Sequence, residues 1–365
     1  MNQAELFAYR LYQQGLLTTS AELAAPFTNI VGLQAQNQRE AELNVALQTG
    51  VTREQLYQFY REQGIVRTWA QRWTIHLLTP ADWRLVISAR QNERLPKAYF
   101  QGFAPQVMAA VSKVAQVLQE TGQLTRADYA AYLQENFDWY ASRPHYLDYA
   151  ILQVLTARGQ VWLKPTTDEA PGTLFAPVEG HLLAQQLATE ELIRRYLQGF
   201  GPATIQDFVK WSGIKITNVR PAWQQVAPEM VPVTVDGTQL WLLEEVPAGK
   251  LAAIVDQVAH LTLITAGFSS LMTGYRDKAW FAPEKVRQQL WTKNGLLRAP
   301  IMANGTVVGR WSCQVVRQQV QFQVTCWGAY DHNQLDEDFD RVARFLQVDY
   351  GGYTLTDAAK LKSLT

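Results

Sequence analysis

Long apolar runs are missing from this chain of 365 residues. No stretch of eighteen or more uncharged apolar residues occurs, which argues against a membrane-spanning helix. The opening Met1-Asn2-Gln3-Ala4-Glu5 lacks the basic patch and apolar core of a secretion signal, so a cytoplasmic protein is expected. Cysteine is scarce: Cys313 and Cys326 lie on strand-like stretches near the C-terminus, where two reduced, packed thiols are expected in preference to a disulfide. No grouping of Cys and His has metal-ligand spacing. An excess of either charge is also lacking, since 33 basic and 33 acidic residues cancel. Nucleic-acid binders often carry a basic surplus, yet a neutral molecule can still present a local basic face. Charge is uneven here, with acids from Asp336 to Asp340 and cations at Arg67, Arg72, Arg84 and Arg90.

What is present is length for two or three domains with substantial cores and an apolar share of 47%, ordinary for a globular protein. Residues 4–15 read as an amphipathic helix ended by Gly15, and Thr19-Ser20 is placed to cap a short second one. Residues 39–47 suit a third helix. Thr52-x-x-Gln55 has the form of a capping box opening a fourth, closed by Gly64. Two β-rich stretches follow, residues 65–69 and 73–78. Helices followed by a hairpin is the order of a winged helix.

The order recurs. Residues 106–120, a start at Thr125-Arg126-Ala127-Asp128, and 146–158 read as helices, with 160–164 and 173–176 as a wing. A third round has helices over 187–198, 204–211 and 217–225, then strands 231–235 and 239–243 around Asp236-Gly237, a strong hairpin signal. Beyond Gly249 the texture is β-rich, with a hairpin at Asn304-Gly305 and an amphipathic helix over 336–346. The expectation is an α+β chain of three tandem winged-helix modules (1–95, 96–180, 181–248) and a C-terminal antiparallel β subdomain (249–365).

The chemistry centres on Gln34-Ala35-Gln36. Spacing of two puts both amides on one side of an extended segment but about 160° apart on a helix. Converging amides can fix a water's position and orientation, though neither is a strong base. Glutamine makes up roughly one residue in ten, so helix-end capping is the plainer account of the pair. His76, between Ile75 and Leu77, either bonds a backbone carbonyl as a structural group or helps to orient the glutamines. Arg67, Arg72, Arg276 and Arg310 suit phosphate contact or internal salt bridges. Arg158 and Lys210 are weaker candidates.

Ile30 to Gln36, the run Ile65-Val66-Arg67-Thr68-Trp69 with Arg72-Trp73-Thr74-Ile75-His76-Leu77, and Thr79-Pro80-Ala81-Asp82 together resemble the AlkZ-like (YcaQ-like) DNA glycosylases. So do Gly199 to Thr204 with Asp207, Phe208 and Trp211, Gly274-Tyr275-Arg276-Asp277, and Gly305 to Trp311. The resemblance implies a Gln-apolar-Gln motif, Gln34 and Gln36, holding a water against the sugar carbon of a damaged nucleotide. It implies a cationic alkylated purine in duplex DNA as substrate, 7-alkylguanine adducts and in some members interstrand crosslinks. A scaffold hairpin would engage the duplex without a deep base pocket, and no cofactor is implied. Two departures stand out: Trp73 replaces a family glycine, and Ser269 and Ser270 replace a common acidic pair. The expectation is a monomeric DNA glycosylase acting on double-stranded DNA. Its rival is a non-catalytic winged-helix DNA binder or transcription regulator.

Overall fold

Local chemistry starts most elements. Helix α1 (Gln3–Gln13) opens on a reciprocal pair in which Asn2 accepts the Glu5 N–H and Glu5 accepts that of Asn2. A four-residue α2 (Ala25–Thr28), strand β1 (Leu33–Gln34) and α3 (Gln38–Thr49) follow. The expected box at Thr52 and Gln55 opens α4 (Arg53–Gln63), which Gly64 ends in the left-handed region. Strands β2 (Val66–Trp69) and β3 (Ile75–Leu78) flank a 3₁₀ turn, Gln71–Trp73, and α5 (Pro80–Arg90) completes the first segment. The three strands form one antiparallel sheet in the order β1-β3-β2.

These elements belong to a computed structural model that describes residues 1–95, 100, 102–142, 147–168 and 174–356. The next segment holds α6 (Ala104–Thr121), β4 (Leu124–Thr125), α7 (Arg126–Asn136), α8 (Leu147–Ala157), β5 (Val161–Leu163) and β6 (Leu174–Pro177), with strand order β4-β6-β5. Tyr146 and Thr173, expected at a helix start and a wing, fall outside the described residues. A third run gives α9 (Gln185–Phe200), α10 (Ile205–Ser212) and α11 (Ile216–Val226), then the hairpin β7 (Val231–Val235) and β8 (Thr238–Leu242). The C-terminal part comprises α12 (Ala248–Ala259), β9 (Thr262–Ile264), α13 (Ser270–Thr273), α14 (Glu284–Leu290), β10 (Ala299–Ala303), β11 (Thr306–Val316), β12 (Gln319–Cys326), α15 (His332–Leu346) and β13 (Asp349–Thr356). The architecture is mixed α and β. Among the described residues no helix is long and apolar enough to cross a membrane.

Two expectations need correction. The C-terminal sheet, ordered β13-β12-β11-β10-β9, is not antiparallel throughout, because β13 runs parallel to β12. Helix α15 intervenes between them and carries the chain back to the starting end, so the last strand can only add in the same direction. Thr19-Ser20 caps no helix: α2 starts later, behind Ala24, and the Ser20 hydroxyl instead accepts the Glu22 N–H. Cys313 and Cys326 are both free, and they stand opposite Phe322 and Gly309 across the β11–β12 ladder.

One large core joins the first, third and C-terminal parts through buried side chains such as Phe27, Trp83, Phe208 and Tyr275. A smaller core lies around α6, α7 and α8, and Trp69 of β2 reaches into it. The second segment therefore meets the glutamine-bearing sheet along a seam between two cores.

Candidate active site

Gln34 ends β1, and the extended backbone there decides the question that spacing left open. Register pairs Gln34 with His76 on β3, and His76 with Thr68 on β2, so these three side chains form one row on one face of the sheet. The chain enters this strand through Gly32 at φ +82°, where a Cβ would meet Leu78 and the Leu77 carbonyl at 3.3 and 3.4 Å. Beyond Gln34 the backbone is gripped from both sides. The Ala35 N–H donates to Ile75, and Arg67 donates to the carbonyls of Ala35 and Gln36 at 3.0 and 3.2 Å.

The two amides meet. Gln34 Nε2 donates to Gln36 Oε1 at 2.6 Å, and Gln34 Oε1 accepts from Arg72 Nη2 at 2.8 Å. Arginine can only donate. It therefore dictates that the Gln34 oxygen faces it, that the Gln34 nitrogen faces Gln36, and that the Gln36 oxygen faces back. Among the described residues each carboxamide oxygen accepts one hydrogen bond and so keeps a second lone pair, and Gln36 is exposed. The arrangement can orient a water from two acceptors without moving a proton of its own.

Arg72 is itself held by the third segment. Its Nη1 donates to the Trp211 carbonyl at 2.8 Å, while Arg90 donates to that of Ser212. Two guanidiniums thus satisfy the last carbonyls of α10, where the helix dipole favours cations. Gly213 must be small there, since a Cβ would lie 2.6 Å from Arg90 Nη1 and 2.9 Å from Arg72 Cα. Burial lowers the Arg72 guanidinium to about 10, which leaves it charged at neutral pH. Arg72 and Trp73 both take left-handed backbone, φ +54° and +58°, a conformation natural to glycine and strained for tryptophan. The glycine expected at 73 thus has a backbone reason. Here the indole is buried instead, with the Arg90 guanidinium 4.3 Å from its ring centroid.

His76 is buried, and its Nδ1 lies 3.0 Å from the Thr74 carbonyl. A carbonyl only accepts, so Nδ1 carries the proton and Nε2 is the acceptor. Burial, then the charge of Arg72, pushes the imidazole down to about 3, so it is neutral across the physiological range.

The remaining arginines do not join this cluster. Arg310 lines a cleft of about 430 Å³ with Asn37, Arg39, Glu40 and Arg298, adjoining the glutamine segment through Asn37. Burial, and then Arg298, lowers the Arg310 guanidinium, and its Nε is buried without a hydrogen-bond partner among the described residues. Arg276 is exposed in a different cleft beside Asp207, Asp236 and Asp277, and its backbone N–H donates to Asp207. Ser270 donates to Gln14, while the buried Ser269 hydroxyl has no hydrogen-bond partner among the described residues. Arg158 and Lys210 are exposed.

Sequence reasoning missed Arg39 and Arg298 as companions of Arg310, and it missed Gln38. The Gln38 amide donates to the Thr166 carbonyl at 2.6 Å and accepts the Thr166 N–H at 3.0 Å, tying the second segment to α3. It also donates to Glu42 at 2.7 Å. Burial pushes Glu42 up from the usual 4.5 to about 7, against the lowering effects of Gln38, Tyr60, Arg53 and Arg67. The folded protein thus binds this proton more tightly than the unfolded chain, and stability falls as pH rises from 4.5 through 7. That gap, at about 1.4 kcal/mol per pH unit, is worth on the order of 3 kcal/mol. Glu42→Gln is therefore expected to raise the melting temperature at pH 8 and to melt with the wild type at pH 4. Equal melting at pH 8 would remove this account.

A family model described as "DNA glycosylase AlkZ-like" matches residues 27–345. The chain belongs to that family. The Streptomyces sahachiroi "Interstrand DNA cross-link repair glycosylase" is 28% identical over 335 residues, covering 87% of this chain and 88% of its own. The solved structure of Streptomyces sahachiroi DNA glycosylase AlkZ superposes with a TM-score of 0.80 at 24% identity, over 98% of this chain and all of that one. The matched span of this AlkZ-like glycosylase contains Gln34, Gln36, Arg67, Arg72, His76, Arg276 and Arg310, while α1 and β13 lie outside it.

Proposed function

We propose that this AlkZ-like glycosylase hydrolyses the N-glycosidic bond of cationic alkylated purines in duplex DNA, with Gln34 and Gln36 placing the attacking water. The hydrogen-bonded series Arg72, Gln34, Gln36 carries this reading, because it presets two acceptors beside an exposed edge. Glycosidases acting on neutral sugars need a general acid and a second carboxylate. A purine alkylated at ring nitrogen seven already carries positive charge and departs neutral. Holding water near the anomeric carbon then contributes through position rather than proton transfer. A neutral His76 fits the same scheme: it packs against Gln34 and adds no charge opposing the developing sugar cation. A crosslink attached through the same ring nitrogen presents the same leaving group, which extends the reading to interstrand crosslinks.

Three winged-helix modules, 1–95, 96–180 and 181–248, with the C-terminal sheet of 249–365, form the frame in this reading, supported by the repeated order of helices followed by paired strands. Arg67 and Arg72 then brace the catalytic segment, and the phosphate contacts fall to Arg39, Arg298 and Arg310. The protein acts as a monomer and without a cofactor. Purified protein should generate abasic sites in a duplex carrying 7-methylguanine and leave the undamaged duplex intact; no abasic sites above the spontaneous level would return the chain to a DNA-binding role. Arg298→Gln and Arg310→Gln should each flatten the dependence of log affinity on log salt by about 0.9. Unchanged slopes would place the DNA backbone elsewhere.

A further inference from the structure

The segment after α13 carries Tyr275-Arg276-Asp277-Lys278. Lys278 is half-buried, and its amine donates to the Met272 carbonyl at 2.7 Å and to that of Tyr275. Two of its neighbours are cations: Arg72, which bonds the Trp211 carbonyl, and Lys210 in the last turn of α10. Burial first, then the charges of Arg72 and Lys210, push the Lys278 ammonium down from 10.5 to about 8, against the pull of Asp207 and Asp277. Desolvation and a cationic neighbour are the two usual ways of making a lysine nucleophilic. At about pH 7.5, roughly a quarter of such amines are neutral, against about one in a thousand for an ordinary lysine.

Hydrogen bonding also sets where the nucleophilic electrons point. A neutral amine has two N–H bonds and one lone pair. Carbonyls only accept, so both N–H bonds stay on Met272 and Tyr275 and the lone pair is directed away from them. The Arg72 guanidinium that lowers Lys278 also holds the Gln34 oxygen at 2.8 Å, so the amine and the amide pair flank one cation. Hydrolysis at that pair leaves an abasic sugar, whose anomeric carbon opens to an aldehyde. We propose that Lys278 captures this aldehyde as a Schiff base and cleaves the abasic strand by β-elimination. This rests on the glycosylase reading for the source of the aldehyde. Nζ adds to C1′, a proton passes from nitrogen to the former carbonyl oxygen, and water departs to leave an iminium. The iminium acidifies C2′: that proton goes to solvent water, the C3′–O bond breaks, and its electron pair leaves with the phosphate. Water then hydrolyses the imine, which frees the amine and balances the water lost before.

The test uses a duplex with a preformed abasic site, so that failure of base release and failure of strand cleavage are separate results. With borohydride, the wild type should give a covalent protein–DNA adduct whose peptide map places the link on Lys278. Without borohydride, it should give a strand ending in an unsaturated aldehyde. A duplex carrying the tetrahydrofuran analogue, which has no aldehyde, should give neither. Lys278→Arg keeps the charge and donors for both carbonyls but never offers a neutral amine. It should melt like the wild type and lower the initial trapping rate by roughly a hundredfold, the advantage in neutral amine. No adduct overturns the proposal, as does an adduct mapped to another amine such as that of Met1, or a trapping rate that Lys278→Arg leaves intact. An adduct on Lys278 without strand cleavage overturns it too, because the amine then only binds the product. Should Lys278→Arg fail to fold, the peptide map and the cleaved strand of the wild type decide. If 7-methylguanine is not released while the preformed site is trapped on Lys278 and cut, the lyase stands and the glycosylase reading falls by itself.

Discussion

Replacing Gln34 with alanine is expected to slow release of 7-methylguanine from duplex DNA by roughly a hundred- to a thousandfold, with affinity for the same duplex almost unchanged. Two consequences combine. The water loses one acceptor, and Gln36 loses the donor that fixes its own oxygen. Gln36→Ala should cost somewhat less, because Gln34 remains oriented by Arg72. Gln34→Glu separates positioning from base catalysis. A carboxylate is the stronger base and would pair with Arg72, but it has no N–H to offer Gln36. The positioning account therefore expects a loss as large as that of alanine. Faster release by the glutamate variant would make the site a general-base enzyme instead, and unchanged release in all three variants would end the catalytic assignment. Spontaneous loss of the methylated base must be subtracted in each case, since the leaving group needs little help.

Local signals explain which parts of this design were legible beforehand. The capping box at Thr52 and the turns at Asp236-Gly237 and Asn304-Gly305 are short-range chemistry, and each sits where its residues place it. Strand β1 is two residues long and exists only because β3 pairs with it. No periodicity can announce it, yet it is what makes the Gln34 backbone extended and lets the amides converge. Strand β13 was hidden for a similar reason. Gly351-Gly352 interrupts its pattern, and its direction depends on the α15 crossover. The arginines show the sharper limit. For Arg67 and Arg72 the alternatives were phosphate or an internal acid. The partners found are internal, but they are backbone carbonyls and an amide. Trp211 lies 139 residues from Arg72 in sequence, and only folding brings them together.

That long-range contact predicts the second large effect. Arg72→Met should reduce 7-methylguanine release by roughly a hundredfold, because Gln34 would be free to rotate its amide and the oxygen facing the water would no longer be set. The same change strands the Trp211 carbonyl at the end of α10. A buried acceptor left unpaired costs about 1–3 kcal/mol, so a lower melting temperature should accompany the kinetic loss. Stability alone could mimic the activity effect if the variant were partly unfolded at the assay temperature, and a double-mutant cycle removes that ambiguity. In a Gln34→Met background, where no amide remains to orient, Arg72→Met should still lower the melting temperature but add little further loss of release. Multiplying losses would mean that Arg72 reaches the reaction by another route, such as direct contact with DNA. A kinetic loss that disappears in the Gln34→Met background while the melting shift persists would place Arg72 where the geometry has it: a positioning residue through which the third segment of the fold sets the orientation of both glutamines.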